Sequence, residues 1–363
     1  MITGALDKWQ LALNNAVNYE LQQLSLSTGR VLAKPTHVGI IPTMRCNFRC
    51  QQCDIWRSDE RPSELTTAQW KKVLLDLRQW LGAYRVAISG GEPLLRPDIV
   101  ELLEFCRDNR IYASIVTNGW LVNHERAAKL IAARPLNINL SLDGGTPETH
   151  DTLRGIPGAF ERATGAAHLL NEQRKAQGVT TGIFIKTTIM RQNVRELETV
   201  LDWVDREQLS GLILQPIQEN LGGEQYNRKW FEDNPLWPDY ATVCAVLDNL
   251  VERKRGGSRL TQDEVYFRDM KEYFKDPSAQ RLGPCQVGVR NLGITSDGKI
   301  EFCYHVMPSF GNVVETHARE LWSGDRAREA RRRIKACDKM CMATCYAKAG
   351  LKQKLEMLKA LSR

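Results

Sequence analysis

Apolar residues recur along the chain in two alternating rhythms. Between residues 5 and 26, Leu6, Trp9, Leu13, Val17, Leu21 and Leu24 fall at helical spacing and Gly29 stops the run, which predicts an N-terminal helix. Beyond it, short apolar runs at 38–41, 86–88, 114–116, 138–142, 183–189 and 212–214 read as strands. Amphipathic segments near 66–81, 97–109, 123–133, 158–177 and 193–207 lie between them, and another follows the sixth strand near 239–254. The first of these shows the logic: Thr66 can cap it, Trp70, Val73, Leu74, Leu77 and Leu81 form one apolar stripe, and Gly82 ends it. Strand and helix alternating six times predict a parallel sheet with right-handed crossovers. Six units are fewer than the eight of a closed barrel. The expected fold class is therefore α/β, a partial, open (β/α)6 barrel with chemistry at the carboxyl ends of its strands. Arg255-Gly256-Gly257-Ser258 reads as a linker, and from about residue 261 the pattern changes to one helix, turn-rich strands and a cysteine-rich end. The expected organisation is a helical extension over 1–36, a barrel over 37–257 and a small C-terminal domain over 258–363.

Composition narrows the class. With 42% hydrophobic and 26% charged residues, the 363-residue chain can bury a sizeable core under a solvated surface, which excludes fibrous and disordered proteins. Asp7 and Lys8 stand where a signal peptide needs an apolar run, and no stretch of about 18 apolar residues occurs, so a cytoplasmic protein without a membrane span is expected. Ten cysteines are too few for a disulfide scaffold. Eight of them crowd into three places, as site-building in a reducing compartment would have it. The net charge of +7 suits an anionic substrate or cofactor and is weak support for nucleic acid as a partner. Arg331-Arg332-Arg333 lacks interleaved aromatics and reads as a solvated helix face, while Cys106 and Cys244 read as core.

Cys46, Cys50 and Cys53 follow the first strand directly, with spacing Cys-x3-Cys-x2-Cys. Three thiolates in one short loop can hold three irons of a [4Fe–4S] cube and leave the fourth open to a chelating ligand. Three packed core cysteines are disfavoured by Arg45, Asn47, Arg49 and Gln51, which make the loop polar. A zinc site lacks a nearby histidine, since His37 and His124 are the nearest. A second motif, Ser89-Gly90-Gly91-Glu92-Pro93, follows the second strand. Its paired glycines let the backbone approach a ligand, and its carboxylate attracts an ammonium.

Together these motifs resemble the radical SAM superfamily, whose cysteine signature follows the first strand of a partial (β/α)6 barrel. The resemblance implies that Gly90, Gly91, Glu92 and Pro93 bind the amino group of S-adenosylmethionine. It implies contacts to its methionine carboxylate or ribose from Thr117, Ser141, Asp143 and Arg154. It also implies a 5′-deoxyadenosyl radical, a small-molecule or peptide substrate, and a reductant such as flavodoxin or ferredoxin. One departure is Gln52: the residue before the third cysteine is usually aromatic in the family and helps seat the adenine, with Phe48 or Trp56 as possible substitutes here.

Cys285, Cys303, Cys337, Cys341 and Cys345 form a second set. Cys285 and Cys303 flank residues 292–300, which read as a hairpin with an Asp-Gly turn. Cys337, Cys341 and Cys345 share one side of a helix if that segment is helical. Four of the five could hold a further cube, and thiolate sets of this kind also suit zinc. Gly298-x4-Cys303 followed by Gly311-Asn312-Val313 resembles the SPASM/twitch extension of the superfamily. Full SPASM domains carry seven cysteines for two clusters; five imply a twitch-like domain with one auxiliary [4Fe–4S] cluster and a spare thiol. Lys186 and Glu219 lie on or just past strands five and six, where catalytic groups belong, and Tyr304 and His305 adjoin Cys303. Cys345 is the candidate hydrogen donor, because an S–H bond is weak. The expected activity is epimerisation or dehydrogenation of a sugar or aminocyclitol from a natural-product pathway. The alternative is a maturase that crosslinks or epimerises a ribosomally made peptide.

Overall fold

The computed structural model describes residues 2–57, 62–219, 227, 229–279, 285–303, 309–337, 339, 341 and 342. Six parallel strands, β1 (His37–Ile40), β2 (Tyr84–Ile88), β3 (Ile111–Thr117), β4 (Asn137–Ser141), β5 (Gly182–Ile189) and β6 (Gly211–Pro216), pair in sequence order without closing on themselves. This is the unclosed barrel that the alternation of strand and helix predicts. α1 (Ile2–Thr28) precedes the sheet. α2 (Thr67–Leu81), α3 (Ile99–Asp108), α4 (His124–Ala132), α5 (Pro147–Arg154), α6 (Ala159–Ala176), α7 (Leu197–Arg206) and α8 (Tyr240–Arg255) follow in turn. On β3 and β5 every second residue is buried beneath the helices, so Tyr112, Ser114 and Val116, and likewise Phe184, Lys186 and Thr188, face the inside of the barrel. α2 begins as expected: Thr66 and Gln69 exchange side-chain-to-backbone hydrogen bonds in a capping box, and Trp70, Val73, Leu74, Leu77 and Leu81 are buried.

The C-terminal elements are α9 (Glu264–Lys275), α10 (Val287–Arg290), β7 (Asn291–Ile294), β8 (Ile300–Glu301), α11 (Ala318–Ser323) and α12 (Asp325–Ala336). β7 lies parallel to β1, with His37 opposite Asn291 and Ile40 opposite Ile294, so the C-terminal part continues the barrel's own sheet. β7 and β8 form the expected antiparallel hairpin, turning through Gly298 at φ 83°. Trp322 fastens the junction. Its indole N–H donates to the Ala33 carbonyl at 3.1 Å, and its ring meets Trp80 and Phe302 edge-on.

In α1, Trp9, Leu13, Val17 and Leu24 are exposed, while Leu11, Gln22 and Ser25 are buried. Asn18 accepts from Lys34 N–H, Gln22 donates to Thr36, and Ser25 accepts from Leu32 N–H, so hydrogen bonds to the connecting segment help orient the helix. Three expectations need correction. α12 ends at Ala336, and Cys337 is extended (φ −66°, ψ 127°), so it is not on the helix expected to align it with Cys341. Arg331 is not solvated; it stacks on Phe302 and Trp322 at 4.6 Å and donates to the Gly288 carbonyl, while Arg332 and Arg333 are exposed. Residues 255–258, expected as a linker, make a tight turn after which Leu260 bridges to Leu212 of β6. Cys106 is buried as expected, and Cys244 is half-buried.

Trp322→Ala should lower stability by about 3–5 kcal/mol, because it empties a large buried volume and strands the Ala33 carbonyl. Chemical denaturation of the two proteins measures the difference.

Candidate active site

Nine of the expected residues line one pocket at the carboxyl ends of β1 to β4: Cys46, Cys50, Cys53, Gly90, Gly91, Glu92, Thr117, Ser141 and Arg154. The two motifs are joined through their backbones. Gly91 N–H donates to the Thr43 carbonyl at 3.0 Å and Glu92 N–H to the Arg45 carbonyl at 2.8 Å. A side chain at position 91 would begin 2.1 Å from the Arg45 carbonyl oxygen, so glycine is required there for the turn to meet the cysteine loop. Phe48 and Trp56, the suggested aromatic substitutes, line the pocket as well. Trp56 also donates from its indole to the Cys50 carbonyl at 2.9 Å.

The cysteine loop rests on the end of α5. Arg49 and Gln51 N–H groups donate to the carbonyls of Arg154 and Leu153, which the ending helix leaves open. Gly155 closes that helix at φ 68°. Arg154, on its last turn, reaches Cys50 Sγ at 3.8 Å and pairs with Asp143 at 2.7 Å. Burial pushes the Cys46 thiol up to about 11 and raises Cys53, while the Arg154 guanidinium partly offsets the rise at Cys53.

Glu92 is buried, and its carboxylate accepts from Leu94 N–H, Thr117 Oγ1 and Asn118 N–H. Three of its roughly four acceptor positions are therefore filled, one of them by Thr117, which also lines the pocket. Pro93 opens the single helical turn that Glu92 caps. Asp143 is fully buried and lies behind the pocket wall, bound to Gln52, Arg154 and Thr188 N–H. His150 accepts from Asp143 N–H, and burial lowers its imidazole to about 2, keeping it neutral. The sequence singled out Gln52 as a departure but not its bond to Asp143, and it offered no sign of the parts taken by Asn118 and His150; Asn118 follows a flagged threonine, but its bond to Asn47 joins segments 71 residues apart.

Lys186 stands opposite Ser141 on the neighbouring strand, on the inner face. Burial lowers its ammonium to about 8; Asp143 opposes the fall and Arg154 adds to it. Glu219 lies away from the pocket. It pairs with Lys339, and Gln218 accepts from Met342 N–H, so the segment bearing Cys337 and Cys341 is clasped to the end of β6. Cys285, just before α10, and Cys303, just past β8, pack against the core edge. Cys345, Tyr304 and His305 lie outside the described residues.

The pocket fits an iron–sulfur cluster with a nucleoside ligand. Three thiols share its wall, glycines open its floor, and Gln52 Oε1 and Arg154 Nε are buried there without partners. Among the described residues no three His, Cys, Asp or Glu side chains close on the single point that one metal ion needs.

The chain belongs to the radical SAM superfamily, which it matches over residues 40–204, and it matches the SPASM iron–sulfur cluster-binding domain over residues 285–346. It is thus a radical SAM enzyme, and the two domains imply S-adenosylmethionine and two [4Fe–4S] clusters as its cofactors. Fe-coproporphyrin III synthase of Methanosarcina barkeri is 30% identical over 300 residues, covering 77% of this chain and 72% of that protein. PqqA peptide cyclase of Gluconobacter oxydans is 27% identical over 288 residues, covering 77% and 74%. SuiB of Streptococcus suis, solved bound to its precursor peptide SuiA, shares the fold with a TM-score of 0.67 at 18% identity, covering 88% of this chain and 74% of that one. Among the described residues no helix is long and apolar enough to cross a membrane.

Lys186→Met should stabilise the protein below pH 8, by at most about 3 kcal/mol, since a buried ammonium no longer has to be desolvated. The advantage should shrink between about pH 8 and 10.5, where the native lysine is already neutral and the unfolded one is losing its proton. Denaturant titrations of both proteins across that range test this. Glu219→Gln should speed hydrogen exchange at Met342 N–H about tenfold by loosening the clasp; an unchanged rate would mean that the ion pair does not hold the segment.

Proposed function

We propose that this enzyme modifies a peptide, using its barrel pocket to position S-adenosylmethionine and a cluster held by Cys46, Cys50 and Cys53. The observation that carries this is the similarity to the PqqA peptide cyclase over most of both chains. The relatives support a peptide better than the sugar or aminocyclitol expected from the sequence. A tetrapyrrole is the second reading, favoured by the similarity of equal coverage to Fe-coproporphyrin III synthase.

When bound, the cluster and S-adenosylmethionine supply a carbon-centred radical able to abstract hydrogen from an unactivated carbon. The chain's own residues would do the rest. Glu92, with one acceptor position left, would take the ammonium of the methionine moiety. Gly90 and Gly91 would let the backbone approach it. Arg154 would sit beside the thiolates as a fixed cation, oriented by Asp143. Ser141 faces the pocket, and Lys186, opposite it on β5, would meet an anionic group of the substrate. Four of Cys285, Cys303, Cys337, Cys341 and Cys345 would hold the auxiliary cluster, with Cys285, Cys303, Cys337 and Cys341 each partly accessible. Whether the substrate radical regains a hydrogen, loses an electron or forms a crosslink depends on what meets it above this pocket; Cys345 is the proposed donor in the first case.

The test is to incubate reconstituted, reduced enzyme with S-adenosylmethionine and the short peptides encoded beside its gene, and separately with iron-coproporphyrin III. Transfer of deuterium from a labelled peptide into 5′-deoxyadenosine is expected; transfer from the tetrapyrrole alone would overturn the peptide assignment. The C46A/C50A/C53A variant should retain about four of about eight irons and form no 5′-deoxyadenosine. Cleavage at the wild-type rate would remove the cluster assignment.

A further inference from the structure

α1 turns an apolar face to solvent. Trp9 is 47% exposed, Leu13 65%, Val17 50% and Leu24 47%, and at helical spacing the four fall within one third of the helix circumference, with half-buried Leu21 at the margin. The other side of the helix is already occupied: Leu11, Gln22 and Ser25 are buried, and Asn18, Gln22 and Ser25 bond to the segment that follows.

A helix face meant for water carries charge, and this one carries almost none. From residue 9 to residue 28 the only charged side chain is Glu20, one position in twenty, against 26% of the whole chain. Exposed aromatic and aliphatic side chains in a neighbourhood depleted of charge mark the core of a protein interface. A helix lying on a membrane surface would need lysines and arginines along its flanks, and this stretch has none.

The spacing names the occupant. Trp9 and Leu21 lie equally far from position 15, and so do Leu13 and Val17. A second α1 laid antiparallel across a two-fold axis at the level of residue 15 therefore sets Leu13 against Val17 of the second copy and Trp9 against its Leu21, each contact occurring twice. Gln10 and Glu20, both exposed, are related in the same way, so the Gln10 amide can donate to the carboxylate across the pair. The two Glu20 side chains stand about 15 Å apart along the axis, farther than the screening length of physiological salt. The four most exposed side chains leave roughly 400 Å² per copy in water, and a pair that also covers Gln10, Ala16, Glu20 and Leu21 reaches the about 1,000 Å² at which a specific interface begins.

We infer that the chain pairs with a second copy of itself through α1, in an antiparallel two-fold contact with Leu13 and Val17 at its centre. The inference concerns the outside of the molecule and is independent of the substrate reading.

Sedimentation equilibrium of the reconstituted protein tests it. Wild type should be a dimer at micromolar concentration. L13E and V17K, each alone, should weaken pairing about a hundredfold, because each places two unpaired charges in the contact. Mixed in equal amounts, the two variants should pair again, since the new carboxylate of one chain then faces the new ammonium of the other while Val17 and Leu13 keep the second contact. Q10K, which changes a side chain at the rim, should tighten the wild-type dimer about threefold by facing Glu20 of the second copy, and it decides the matter if L13E or V17K does not fold. A wild-type monomer at high micromolar concentration would overturn the inference, as would a dimer that L13E and V17K leave undiminished. A mixture that pairs no better than its components, or a dimer that Q10K leaves unchanged, would overturn the antiparallel contact. A monomer that binds phosphatidylserine vesicles through Leu13 and Val17 would assign the face to a membrane instead.

Discussion

The mouth of the barrel depends on one buried carboxylate. Asp143, two residues past the end of β4, has no exposed surface, and a charge in that position is tolerable only if donors replace the water it gives up. Its three donors come from three parts of the chain: Gln52 from the cysteine loop, Arg154 from α5 and Thr188 from β5. Its backbone is held too, by His150 through the N–H and by Asn193 through the carbonyl. Removing one partner of such a buried pair typically costs about 3–5 kcal/mol, so these elements keep a common geometry. Asp143 is thus the post on which two pocket residues, Gln52 and Arg154, are mounted.

The cysteine loop itself has little regular structure and gains its shape from neighbours. The carbonyls at the end of α5 receive its N–H groups on one side, and the turn at Gly90 and Gly91 is bonded to it on the other. Arg96, buried beneath, donates to the carbonyls of Pro42 and Leu65 and pairs with Asp98 and Glu64. A loop bonded along both edges can present three thiols in a fixed arrangement although none of its residues is in a helix or strand.

The strands and most helices were legible because each carries a stripe that can be buried in one way only. The 3.6-residue period found α1 but not its orientation, since Asn18, Gln22 and Ser25 bond to the segment at 32–36 and turn the apolar side outward. α5 escaped notice because only His150 and Leu153 of its eight residues are buried, although Thr146, Pro147 and Gly155 marked both of its ends. The chemistry of the site was visible wherever it rests on short spacing, as in the cysteine triplet and the paired glycines. What joins distant segments was not. Gln52 and Asp143 are 91 positions apart and Glu219 and Lys339 are 120 apart, and no local pattern announces such a bond. Cys337 misled for a related reason: an i, i+4 spacing implies a shared face only while the helix lasts, and it stops one residue earlier.

The pairing of β7 with β1 bears on how the chain is made. β1 leaves the ribosome long before β7, and one of its two edges waits for that strand roughly 250 residues further on. At about 5–20 residues per second, that delay lasts on the order of 10–50 s. Through that interval His37–Ile40 presents an unsatisfied row of N–H and C=O groups to any passing strand. The connecting segment at 32–36, synthesised before β1, lies next to that edge, and Thr36 N–H is bonded to the Arg290 carbonyl once the C-terminal part arrives. A nascent chain halted before residue 291 would keep the edge bare and be prone to association, so synthesis of the cysteine-rich end also completes the protection of the barrel.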